Sequence, residues 1–123
     1  MSPELSWTNA PDGTTQFALI CHDPDAPLTD GFTHWVLYGI PAGTTRIPEG
    51  GGGAFVEGRS DFGREGYNGP APPPGHGTHH YFFHLYALSD PVGAGPGLTR
   101  RELLAKIDPL ILVQARIAGT YSR

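Results

Sequence analysis

The chain is poor in what makes a disulfide scaffold, a membrane span or a polyanion binder. One of its 123 residues is cysteine, Cys21, so no internal disulfide is available. No apolar stretch approaches the roughly 18 to 20 residues that a bilayer-crossing helix needs. Lys and Arg number 8 against 12 Asp and Glu, the formal net charge is -4, and no run of basic residues concentrates positive charge. A phosphate backbone therefore meets no electrostatic footprint, and nucleic acid is not an expected partner. Met1-Ser-Pro-Glu-Leu5 carries neither a charged n-region nor an apolar h-region, which points to the cytoplasm.

What the chain has in quantity is glycine and proline, 18 and 13 residues, enough to brush the range where disorder sets in. Several alternating apolar runs argue instead for a folded chain, one domain over residues 1–123. Phe17-Ala-Leu-Ile-Cys-His22 predicts a strand that the prolines of Asp23-Pro-Asp-Ala-Pro27 must stop. Phe32 to Ile40 predicts a second, and period two places Phe32, His34, Val36, Tyr38 and Ile40 on one face. Residues 41–78 hold 17 Gly or Pro in 38, which leaves room for a long loop and little regular structure. His79 to Leu88 is the strongest strand pattern, with His79, Tyr81, Phe83 and Leu85 facing one way and His80, Phe82, His84 and Tyr86 the other. Aromatics on both faces predict an interior strand.

Thr99-Arg-Arg-Glu102 is a capping box, and Leu103, Leu104 and Ile107 form a helical stripe behind it. A helix of about two to three turns should end at Asp108, because Pro109 disfavours helical dihedrals before it. Ile111, Val113, Ala115 and Ile117 then alternate with Leu112, Gln114 and Arg116, the pattern of a half-buried strand. The fold class is mainly β with one helix.

Six histidines invite a metal reading. His80 and His84 share a strand face but stand ~13 Å apart, and His79 faces away, so these three cannot ligate one ion. A two-histidine, one-carboxylate set of His34, His79 and Asp23 stays open. His22, His80 and His84 read as hydrogen-bonded or half-exposed sheet histidines, and Cys21 as a buried thiol. Gly58-Arg-Ser60-Asp-Phe-Gly63 misses the nucleophile-elbow spacing by one residue, and the Gly50 to Gly53 run lacks the Lys-Ser/Thr of a phosphate loop.

The constellation that remains lies at strand ends. Asp23 closes one strand and His34 stands near the start of the next, so a hairpin-like return brings both to one sheet edge. His79 and Tyr81 add a second imidazole and a phenol at the mouth of a third strand. Such a set offers hydrogen-bond donors to an anion and no evident nucleophile.

Asp23-Pro-Asp-Ala-Pro27, His34-Trp35, Gly66-Tyr-Asn-Gly-Pro-Ala-Pro-Pro-Pro-Gly75 and His79-His-Tyr81 together resemble, in order and spacing, the phosphatidylethanolamine-binding protein (PEBP) family. The closer likeness is to its bacterial and archaeal Raf-kinase-inhibitor-like branch, and it runs from Ser2 to Arg123. The resemblance implies a β-sandwich with one peripheral C-terminal helix and a small anion pocket at Asp23, His34, His79 and Tyr81. It places Asp25 and Phe32 at the pocket rim and Pro73 in the adjoining proline loop. It implies a phosphate-bearing ligand (a phospholipid headgroup, a phosphopeptide or a nucleotide), inhibition of a kinase or protease in some members, and cis peptide bonds at Pro24 or Pro27. No cofactor or metal is implied. Where the family usually has Arg, this chain has His80, and Leu110 stands where bacterial relatives often have His. Relatives also carry a further strand or two before Ser2, and a chain without them would leave a sheet edge bare, which a homodimer would cover. The expectation is thus a small-anion binding protein and not an enzyme. The alternative is a hydrolase or metal-dependent enzyme using Asp23, His34 and His79.

Overall fold

The computed structural model describes residues 5–8, 10–23, 32–47, 51, 55–60 and 78–122. Strands form where apolar and β-branched residues alternate. β1 (Leu5–Ser6) pairs antiparallel with β4 (Arg46–Ile47). β2 (Gln16–Asp23), β3 (Phe32–Pro41), β5 (Val56–Glu57), β6 (Thr78–Leu88) and β7 (Ile111–Ser122) make an antiparallel sheet in the order β5-β3-β2-β6-β7. The pleat sends successive residues to opposite faces, and both faces are covered. On one, Phe17, Leu19, Trp35, Leu37, Phe83 and Leu85 pack with Leu5, Trp7 and Ile47 from the small sheet. On the other, Ala18, Ile20, Val36, Tyr38, Tyr86 and Leu88 pack with Leu103 and Ile107 of the helix α1 (Arg100–Ile107). Each large side chain so buried contributes roughly 1.5 to 3 kcal/mol.

The expected capping box opens α1. The Glu102 backbone N–H donates to Thr99 Oγ1 at 3.2 Å, and the Thr99 N–H donates to Glu102 Oε1 at 2.9 Å. Tyr38 pins the chain leading there: its hydroxyl donates to the Gly95 carbonyl at 2.5 Å and accepts from the Leu98 N–H at 3.2 Å. The α-helix ends where expected, at Ile107 with Asp108 as its C-cap, but not because Pro109 forces Asp108 out of helical dihedrals. Asp108 stays helical (φ -46°, ψ -50°) and the chain continues as a 3-10 turn, Asp108–Leu110. Pro109 falls in the first positions of that turn, where the missing N–H forfeits nothing.

Two strand patterns also depart from simple alternation. Ile40 does not join Val36 and Tyr38 but lies on the opposite face, with Trp35 and Leu37. The cause is a bulge: Phe17 pairs with Ile40 and Leu19 with Leu37, so β3 holds an extra residue where Gly39 adopts φ 69°. In β7 the half-buried pattern is not realised. Residues 112–116 are all exposed, Leu112 to 42% and Val113 to 47%, and only Ile111 and Ile117 near the ends of that stretch pack against the cores. Between Pro41, the last residue of β3, and Thr78, the first of β6, the described residues form only the two-residue strands β4 and β5, in line with the Gly and Pro content. Pro24 and Pro27 lie outside the described residues. Among the described residues no helix is long and apolar enough to cross a membrane.

Candidate functional site

β3, β2 and β6 are neighbours and run antiparallel, so the last residue of β2 and the first residues of β3 and β6 share one end of the sheet. Asp23 pairs directly with Phe32. The β2–β6 ladder runs from Gln16 opposite Leu88 to Ile20 opposite His84, and three further steps along each strand reach Asp23 and Tyr81. On the far side of β6, His79 pairs with Tyr121 and Tyr81 with Gly119. The topology thus brings the strand positions of Asp23, Phe32, His34, His79 and Tyr81 to one sheet end. Asp25 and Pro73 lie outside the described residues.

His34 occupies a special backbone position. Cys21 pairs with Trp35 and His22 with Thr33, so β3 takes two steps where β2 takes one, and His34 is the extra residue of a second bulge. A bulge interrupts the ladder, bends the strand and re-aims what it carries. Beside it, His22 Nδ1 and Thr33 Oγ1 form a hydrogen bond of 2.8 Å, and Thr33 is only 2% exposed. On its other side Trp35 packs edge-on against Phe83, with ring centroids 6.2 Å apart and planes at 84°. Cys21, opposite Trp35, is buried and forms no disulfide.

The electrostatics farther along β6 differ. Burial holds His84 below the usual histidine range, and the guanidiniums of Arg116, its cross-strand partner, and Arg100 push the same way. Burial raises the Tyr86 phenol, partly opposed by Arg100. Glu102 is held low by its hydrogen bonds with Thr99. Among the described residues no three His, Cys, Asp or Glu side chains gather to hold a metal ion.

The family model for phosphatidylethanolamine-binding proteins matches residues 1–122. The chain belongs to that family. This PEBP-family chain is 46% identical over 131 residues to a UPF0098 protein of Aquifex aeolicus, a match covering 100% of this chain and 75% of that protein. Two solved structures share its fold. YbcL of Escherichia coli, described as a member of the mammalian PEBP family, superposes with a TM-score of 0.77 at 32% identity, over 99% of this chain and 80% of that one. A PEBP homolog from Chlamydia trachomatis gives 0.83 at 33% identity, over 99% and 81%. The sheets with one short helix described above are the architecture of this family, and they do not close into a barrel.

Sequence reasoning placed His22 correctly as a hydrogen-bonded sheet histidine, but it missed Thr33 and the bulge at His34. A small polar residue within the aromatic run Phe32 to Trp35 was the available signal. Register between two strands, which makes that residue meaningful, is not a property of either strand alone.

Proposed function

We propose that this chain acts as a single domain over residues 1–123, in the cytoplasm, binding a small phosphate-bearing anion without catalysing a reaction. The observation that carries this reading is the meeting of the Asp23, His34, His79 and Tyr81 positions at one end of three adjacent strands. Two imidazoles and a phenol are donors suited to phosphate oxygens, while a carboxylate beside an imidazole orients the ring and favours its protonated form. His34 and His79 donate to the anion, Tyr81 adds its hydroxyl, and Asp23 orients a histidine. Asp25, Phe32 and Pro73 form the rim. A phospholipid headgroup and a phosphopeptide share this chemistry.

An NMR titration with inorganic phosphate tests the reading. Affinity should fall as pH rises from about 5.5 to about 8.5, since the imidazoles lose their protons across that range. His84 provides an internal contrast. Its folded pKa is lowered, so its contribution to stability is full above the unfolded value and declines as pH falls. Binding and the His84 contribution to stability should therefore move in opposite directions with pH. Constant affinity over the range, or affinity unchanged by His79→Ala, overturns the charged-imidazole reading. Iron or zinc at stoichiometric level in the purified protein would overturn its metal-free form.

We also propose that the chain forms a homodimer through the outer edge of β7. Among the described residues β7 pairs only with β6, and Leu112 and Val113 are the exposed large hydrophobics. An apolar cleft of about 230 Å³, lined by Trp7, Pro11, Phe17, Leu85, Val113 and Ile117 among others, borders that strand. A long open edge with apolar side chains invites pairing, and lysine on such an edge blocks it. Light scattering should give twice the mass of the 13.1 kDa chain, and Val113→Lys should restore the single mass. A wild-type protein that stays monomeric at high concentration rules the dimer out.

A further inference from the structure

We infer that Thr33, through its hydrogen bond to His22, is a positioning residue for the proposed anion site: it locks the bulge at His34. The inference rests on the anion-binding reading above, although the bulge itself does not. His34 sits between two fixed registers. On one side Cys21 pairs with Trp35, and that step is held by packing, since Trp35 is 1% exposed and set against Phe83. On the other side His22 pairs with Thr33, and that step carries the 2.8 Å side-chain bond between the same two residues.

A bulge is one residue away from an ordinary ladder. If β3 slipped by one position at this point, His34 would come opposite His22, and the alternation beyond it would reverse. The slip would separate Thr33, a residue 2% exposed, from His22 and give up the 2.8 Å bond between them. The bond therefore selects the bulged register. It also persists whatever the charge of His22, because a neutral Nδ1 accepts from the Thr33 hydroxyl and a protonated Nδ1 donates to it. The lock is thus independent of the pH range over which the site itself is proposed to titrate.

The test uses the full chain, inorganic phosphate and two variants of one residue. Thr33→Val keeps the shape and removes the hydroxyl, whereas Thr33→Ser keeps the hydroxyl. Phosphate affinity, read by NMR, should weaken about five- to tenfold in Thr33→Val and stay within about twofold of wild type in Thr33→Ser, the scale of one hydrogen bond. Amide hydrogen exchange of residues 33–35 should accelerate in the valine variant alone. A valine variant that melts earlier but binds phosphate as wild type does would make Thr33 merely structural and overturn the inference. If Thr33→Val does not fold, the half-buried His22 gives the same comparison: His22→Asn keeps a polar group near the Nδ1 position, His22→Leu does not, and equal affinities overturn the lock. A wild-type protein indifferent to phosphate would remove the anion reading, while unaltered exchange at residues 33–35 would still refute the lock on its own.

Discussion

Gly58→Ala is expected to lower the unfolding free energy by about 3 kcal/mol or more, the upper end of overpacking plus a disturbed hydrogen bond. A Cβ on Gly58 would overlap the Leu98 carbonyl oxygen outright and stand 2.7 Å and 2.9 Å from Val36 Cγ1 and Cβ. Neither neighbour has room to yield. The Leu98 oxygen accepts from the Arg59 N–H at 2.7 Å, and Val36, fully buried, accepts from the Gly58 N–H through its own carbonyl at 2.8 Å. The methyl would have to prise β5 and the segment before α1 away from β3. For a chain of this length the loss corresponds to a fall in melting temperature of roughly 10 °C. Gly95→Ala serves as the control, because a Cβ there meets nothing within 4 Å and should shift stability by no more than about 0.5 kcal/mol. A Gly58→Ala protein within about 1 kcal/mol of wild type would show that the two segments part easily.

Trp35→Ala should cost about 3 to 5 kcal/mol, as large-to-small changes in a closed core do. Trp35 is 1% exposed and lies in the layer between the two sheets, so its removal leaves a void bordered by Phe83 and the strand opposite. It also removes the apolar half of the register around His34, since Trp35 pairs with Cys21 immediately beside the bulge. Urea unfolding is the direct measure: the midpoint should drop sharply while the slope stays near that of wild type. Trp35→Phe keeps part of the edge-to-face contact and should fall between the two. A midpoint unmoved by Trp35→Ala would mean the layer collapses around the void without loss.

Local features were legible in the sequence because they are settled within a few residues. The Thr99–Glu102 box spans three positions, and both of its hydrogen bonds form. The alternation of β6 was legible too: Phe83 and Leu85 face one core, Tyr86 and Leu88 the other. Failures begin where two strands must be compared. Ile40 changes face because β3 gains a residue relative to β2 at Gly39, and nothing within Phe32 to Ile40 encodes the length of its neighbour's matching stretch. In β7 a register shift beside Leu88 sends Ile111 to the opposite core from Ile117, and alternation states which residues share a face and not whether anything covers it. The same limit applies at the proposed site. Strand direction and motif order sufficed to bring Asp23, His34, His79 and Tyr81 to one sheet end, while the bulge that sets His34 apart required the register.

Both tryptophans of the chain, Trp7 and Trp35, belong to the layer between the small sheet and the large one, and neither contributes to the layer under α1. Intrinsic fluorescence of this protein is accordingly a one-sided optical probe. Detachment of α1 from its face of the sheet would leave the indole emission largely silent, so a second signal such as far-ultraviolet circular dichroism has to accompany it before a melting curve is taken as the unfolding of the whole molecule.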